Sequence, residues 1–321
     1  MKHPVSNILF IVVLALGIAL ALFNDAYALR LGTMACMYAV LAVSWNVIGG
    51  MAGYPSFATA AFFGLGAYTG GVLLSHGAPL LAAIGAAVLL TLVVTLALGR
   101  ILLRLRGHYF AIASLAVGEV LRESTNAATD LTGGGMGLNI PLAVGGGSSP
   151  LGEATFFFLA MWGLLLVTLL VIFAVERSRL GFGLSCIRQN EAAADMIGVN
   201  GTLYKSLAFA LSAIFVAAAG TLYAGWVHYI EPADVYDVLL AIKPIVMVLL
   251  GGLGSTVGAV IGAFAFLGVE ELVWSHWLQI HSAILGFLIV ILLLFLPHGL
   301  ISTGTRLRSL FPRPVKSGGR P

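Results

Sequence analysis

The amino-acid sequence predicts an all-α polytopic membrane protein of about ten crossing helices, within a range of eight to ten, with both termini on the cytoplasmic side. Three observations lead there. First, 60% of residues are hydrophobic and 9% charged, with a mean hydropathy of +1.04, which leaves too little polar surface for a water-soluble globule of 33.5 kDa. Second, apolar runs recur at lengths near the roughly 17–25 residues needed to cross a hydrocarbon core about 30 Å thick at about 1.5 Å per residue. Third, Lys and Arg are placed unevenly along the chain, as the positive-inside rule requires.

Taken in order, Lys2 and His3 precede the run Ile8 to Phe23, and Ala26-Tyr27-Ala28 after it has the small-x-small pattern of a signal peptidase site. The run is read as an uncleaved first helix, because the chain downstream is itself multi-spanning. Leu31 to Ile48, Phe57 to Leu74 and Leu80 to Leu98 follow, separated by Gly/Pro breakers. Arg100, Arg104 and Arg106 form a basic step before Tyr109 to Leu121. Asn126 to Gly152 is polar and glycine-rich and reads as a loop, after which Phe156 to Val175 and Leu207 to Val227 span again. Leu239 to Leu250 is short and carries Lys243-Pro244; Val257 to Val269 and Ile284 to Leu296 complete the set. The membrane part is drawn as residues 1–303 and a basic cytoplasmic tail as 304–321.

Orientation follows from charge. With Lys2, the Arg100 to Arg106 step, residues 176–205 and the tail inside, thirteen of the sixteen Lys and Arg residues share one side; Arg30, Arg122 and Lys243 remain. Two inside termini need an even number of crossings. That makes Leu239 to Leu250 a crossing, short and broken or tilted at Pro244.

Glu176 to Lys205 is the one long internal stretch rich in ionisable groups, and it exceeds what a helix connection needs. Arg188 to Ile197 favours a short helix, with Gly198 and Asn200 as stop signals. It is expected to lie outside the membrane and to meet a partner.

Five segments together resemble the membrane permeases of bacterial ABC importers for branched-chain amino acids, in their LivM-type branch. They are AAFFGLGAYTGG from Ala60, RLRGHYFAIASLAVGEVLR from Arg104, LTGGGMGL from Leu131, SRLGFGLSCIRQNEAAADMIGVN from Ser178 and VLLGGLGSTVGAVIGA from Val248. The resemblance covers about Ala35 to Leu300. It implies that the 176–205 island holds a coupling helix received in a groove of an ATPase subunit, with Arg188, Glu191, Ala192, Ala193, Ala194, Asp195 and Gly198 at that contact. The importer signature is Glu-Ala-Ala, three residues, then Gly. Ala193, Ala194 and Gly198 match it, while Ala192 takes the Glu place and Glu191 lies one residue early. Arg188 and Glu191 are read as a pair at the rim of the groove. The family's Gly-Gln-x-Ser-x-Gly-His-like run is here GYPSFAT, which keeps Ser56 without the Gln and His.

The resemblance further implies a related permease subunit as the other half of the pore, two ATPase subunits and an extracytoplasmic solute-binding protein, in a bacterial cytoplasmic membrane. No nucleic-acid partner is implied. ATP would be used by the partners, since the chain carries no G-x-x-x-x-G-K-[ST] phosphate loop. TGGGMG at Thr132 to Gly137 lacks the Lys-Ser/Thr that a phosphate cradle needs.

Ser56, Phe63, Tyr68 and Glu119 are the candidate lining of a translocation path. For Glu119 the spacing to Arg122 favours a local salt bridge over path lining, and Lys243 suits snorkelling. Gly66 and Gly70, and Gly254, Gly258 and Gly262, form GxxxG steps for helix packing within the subunit. Trp274 and Trp277 read as interfacial anchors. His276 and His281 are five apart, off the spacing that puts two ligands on one helix face, and Cys36 and Cys186 give no metal-ligand pattern, so no metal or catalytic residues are assigned. The expected function is translocation of branched-chain or other hydrophobic amino acids. An importer of the same branch for urea or short amides shares nearly all these features, and an ion-coupled secondary transporter is the alternative from another class, short of the acidic or His relays such coupling uses.

Overall fold

The computed structural model describes residues 3–22, 25–105, 107–141, 150–276 and 286. Each of the nine apolar runs before residue 270 lies within or largely within one helix. These are α1 (His3–Leu22), α2 (Ala26–Trp45), α3 (Thr59–Ser75), α4 (Leu80–Leu102), α5 (His108–Ala127), α7 (Pro150–Glu176), α10 (Gly201–Val227), α12 (Val238–Gly251) and α13 (Thr256–His276). By length and composition, five are apolar enough to cross a membrane: α2 with its extension to Met51, α4, α7, α10 and α13 up to Val273. The α1 and α3 segments are shorter apolar helices, α5 carries Glu119, Arg122 and Glu123, and α12 has 14 residues with Pro244 inside. The expected tenth run, Ile284 to Leu296, the tail 304–321, Trp277 and His281 lie outside the described residues.

Four short elements join them: α6 (Thr129–Thr132), α8 (Arg179–Gln189), α9 (Glu191–Met196) and α11 (Pro232–Val235). The expected loop from Asn126 contains regular elements among its described residues. After α6 and a 3₁₀ turn (Gly134–Met136), β1 (Leu138–Asn139) pairs antiparallel with β2 (Tyr229–Ile230).

The core is organised around α2 and α10, which are buried along most of their length, whereas α4 is mostly exposed. Apolar lipid gives no drive to bury one apolar helix against another, so close backbone approach and interhelical hydrogen bonds decide which helices meet. The α3–α10 seam does both. A Cβ on Gly66 would sit 2.2 Å from the Ala217 carbonyl oxygen, one on Gly70 2.2 Å from Thr221 and one on Gly220 2.2 Å from the Phe63 carbonyl oxygen. Thr221 Oγ1 donates across the seam to the Gly66 carbonyl at 2.9 Å. The α12–α13 seam is similar, with Gly262 against the Met247 carbonyl and Gly258 against the Gly251 carbonyl.

Gly254 departs from the expected pattern. It lies in the turn before α13 with φ +79°, so only the Gly258 to Gly262 step is helical. A positive φ there suits Gly alone among common residues.

The helix ends fall into two groups. One end gathers the close of α2, Tyr54, the α4–α5 connection, α8, α9 and the α12–α13 turn. The other gathers the β pair, His228 with Glu153, and Tyr236 with Thr125.

Candidate functional site

The island is received at the end of α2, where the chain changes pitch. Asn46–Met51 forms a π-helical turn, a rare geometry often found at functional sites. Asn46 Oδ1 accepts the Gly254 amide at 2.9 Å, and the Gly50 carbonyl accepts Arg188 Nη1 at 2.7 Å. A Cβ on Gly50 would meet Asn46 Oδ1 at 1.9 Å. Bulk is therefore excluded where α2, α8 and the α12–α13 turn converge.

The island itself holds two helices. Asn190, at φ −161° and ψ 111°, breaks the single helix expected over Arg188 to Ile197 and caps α9 by accepting the Ala193 amide at 3.2 Å. Ser178 caps α8 and Asn200 caps α10 in the same way, so Asn200 starts a helix rather than stopping one. Gly198, at φ +85°, follows the close of α9. In LGFGL, Gly181 lies against the Val175 carbonyl and Gly183 against the Tyr204 ring, which lets α8 fold back onto α7 and α10.

Three polar ties fasten the island to the bundle. Arg188 reaches the Gly50 carbonyl. Glu191 accepts Tyr54 Oη at 2.6 Å with one carboxylate oxygen and Lys205 Nζ at 2.6 Å with the other. Lys205, 4% exposed, also donates to Tyr54 Oη at 3.2 Å and stacks over its ring at 4.9 Å. Glu176 accepts the Thr256 amide and hydroxyl, putting a carboxylate at the N-terminus of α13 where the helix dipole favours it. Burial and the bond to Glu191 raise the pKa of Tyr54, against the opposing effect of Lys205.

The residues expected at the ATPase contact divide by face. Arg188, Ala192, Ala193, Asp195 and Gly198 are exposed, as are Phe182 on α8 and Met196 and Ile197 at the end of α9, whereas Ala194 is 1% exposed and packs inward. Arg188 and Glu191, expected at a rim, reach back to the bundle. Tyr54, Lys205, Gly50, Asn46 and Thr256 were not singled out from sequence. For Lys205 a signal exists, since a cation about one turn into an apolar helix needs a partner.

The four residues expected along a path have distinct surroundings within this chain. Ser56 is buried beside Trp45, whose indole donates to its carbonyl at 2.7 Å. Phe63 is buried, its ring 5.3 Å from Tyr223; Tyr68 is buried, its ring 6.2 Å from Tyr236. Glu119, half exposed on α5, pairs with Arg122 at 2.9 Å, as the i, i+3 spacing suggests. Lys243 pairs with Glu270 at 2.7 Å rather than simply snorkelling.

Residues 27–296 match the family described as branched-chain amino acid transport system / permease component. The chain belongs to this family. The match opens in α2, leaves out α1 and takes in the whole island. Among relatives, the high-affinity branched-chain amino acid transport system permease protein LivM of Salmonella typhimurium is 28% identical over 90% of this chain and 73% of its own. LivM of Escherichia coli is 28% identical over 92% of this chain and 75% of its own. The permease protein LivH of Salmonella typhimurium is 29% identical over 42% of this chain and 45% of its own. No solved structure matches. Membership makes the chain a multi-pass transport permease component, as the apolar helices also indicate.

Proposed function

We propose that this chain is one of two membrane subunits of an ATP-driven importer that moves branched-chain or other hydrophobic amino acids across the bacterial cytoplasmic membrane. ATP is hydrolysed by two separate ATPase chains, and solute arrives on an extracytoplasmic binding protein. The other pore-forming subunit is a related permease; that LivM and LivH of one organism both bear the name of permease in the same transport system supports this.

The observation that carries the coupling is the island's two-sidedness. Ala194 is buried and Glu191 half-buried against the bundle, to which the otherwise exposed Arg188 and Glu176 are tied by hydrogen bonds, whereas Phe182, Ala192, Ala193, Met196 and Ile197 are exposed and make no such tie. Small and apolar exposed side chains on an extramembrane helix suit a groove on a partner, and the polar ties let the island move with α2, α10 and α13. ATPase closure would then shift the population between inward-open and outward-open states.

Ala193→Trp on the exposed face tests this. Its expected effect is loss of the co-purifying ATPase and of ATP-driven uptake at unchanged folding of the chain. Full co-purification and uptake with Ala193→Trp would place the ATPase elsewhere.

A further inference from the structure

The π-helical turn at the end of α2 leaves a buried carbonyl that its own backbone does not satisfy. A π-type bond to the Gly50 carbonyl would come from residue 55, which is proline and has no amide hydrogen. An α-type bond would come from Tyr54, whose amide is spent on the Ile48 carbonyl at 3.0 Å. Among the described residues, the donor that reaches Gly50 is Arg188 Nη1, at 2.7 Å. We infer that Arg188 is a positioning residue of the transport cycle, the pin through which movement of the island reaches α2 and α13, and not a contact of the ATPase. This role rests on the importer reading above.

The space around the side chain is shaped for it. A Cβ on Gly53 would lie 3.1 Å from Arg188 Cγ, and one on Gly254 would lie 2.4 Å from Arg188 Nη1. Both glycines take a left-handed φ, +77° and +79°. The stem therefore passes Gly53, and the guanidinium ends against Gly254 in the turn before α13. Buried Asn46 accepts the amide of that same Gly254 at 2.9 Å. Three elements thus close a ring: α8 holds α2 through Arg188, α2 holds the α12–α13 turn through Asn46, and Arg188 packs on the turn directly.

Such a ring transmits displacement. A buried carbonyl stripped of its donor costs free energy, so the end of α2 follows Arg188 rather than releasing it. The planar guanidinium fixes direction as well as distance. Ala192 and Ala193, on the exposed face of α9, leave the partner contact to other residues of the island than the one that carries the movement inward.

The test uses the complete importer, this chain with its permease, ATPase and binding-protein partners, reconstituted in vesicles with ATP and L-leucine. Arg188→Met keeps the stem between Gly53 and Gly254 and removes the donor. The ATPase subunits should stay in the assembly, while leucine imported per ATP hydrolysed falls about tenfold or more, the equilibrium worth of one charged hydrogen bond. Loss of the ATPase subunits in step with uptake would make Arg188 an ATPase contact and overturn the role, as would undiminished import per ATP. A double variant reads the same link without relying on Arg188→Met. Gly53→Cys with Arg188→Cys, in a chain carrying Cys36→Ala and Cys186→Ala, sets two Cβ positions 3.6 Å apart, within the range a disulfide spans. Oxidation with copper phenanthroline should restore uptake that the reduced variant lacks, measured against the cysteine-free chain treated alike, because a covalent bond then replaces the pin. A residue that merely capped a carbonyl would gain nothing from that bond, so complete cross-linking without recovery would overturn the role. An unchanged importer that moves no branched-chain amino acid would instead overturn the transport reading.

Discussion

Glu191 shows what one residue can and cannot reveal from sequence. Its place one position ahead of the importer signature suggested an acid at a partner's rim, but its carboxylate lies between Tyr54 and Lys205. The pairing was illegible because it links residues fourteen and 137 positions away, across elements with no common period. Removing one member of a buried pair strands the other charge, typically at about 3–5 kcal/mol, while replacing both with apolar residues is often neutral. Glu191→Met alone should therefore lower the thermal midpoint of the solubilised chain markedly, and Glu191→Met with Lys205→Met should recover most of it. If the double variant were as unstable as the sum of the singles, the pair would not be coupled. Alkaline pH supplies an independent residue-scale check. Burial raises Tyr54, with Glu191 adding to the effect, and burial pushes Tyr236 up to about 12. Both hold their proton more tightly folded than unfolded, so their contribution is constant below about pH 10 and is lost as pH climbs through the raised values. Stability should fall above pH 10, and Tyr54→Phe should make that fall shallower; identical alkaline profiles would remove Tyr54 from the account.

Among elements, the apolar runs were legible because a bilayer imposes a minimum length and leaves few alternatives to a helix. Their partners were less so. GxxxG marked Gly66 and Gly70 as packing positions, and the α3–α10 seam uses them, but the same pattern misplaced Gly254, since spacing alone does not distinguish a helix from the turn before it. The π turn at Asn46–Met51 was illegible for a related reason: Gly49-Gly50 reads as a breaker, while Asn46, Gly50, Gly254 and Arg188 hold it by contacts distant in sequence. The glycines sort into two classes that predict opposite outcomes. Gly66→Ala would drive a Cβ to 2.2 Å from a backbone oxygen, so α3 and α10 must separate, at about 1–3 kcal/mol. Gly118→Ala on α5 meets nothing within 4 Å and should gain several tenths of a kcal/mol from helix propensity. Thermal unfolding of the two variants side by side would show whether both simply follow propensity, in which case the seam is not tightly packed.

For the whole molecule, orientation is argued from the placement of charge. Helix connectivity supplies two ends, and the basic step at Arg100 and Arg104 lies at the same end as the island, because the Leu103 carbonyl is within 3.5 Å of Lys205 Nζ. The charge bias likewise places both segments on one side, with two crossings, α5 and α7, between them. It makes the positive-inside reading a single wager: either both segments are cytoplasmic or neither is. The wager can be settled with Cys36→Ala and Cys186→Ala as background, one cysteine then being introduced at exposed Arg104 and, separately, at Met136 in the TGGGMG turn, 87% exposed at the opposite end. A membrane-impermeant maleimide applied to intact cells should label the Met136→Cys chain and should reach Arg104→Cys only after permeabilisation. The reverse pattern would put the island outside, away from ATP, and with it would fall the ATPase contact, since no exposed face on that side could meet a cytoplasmic motor.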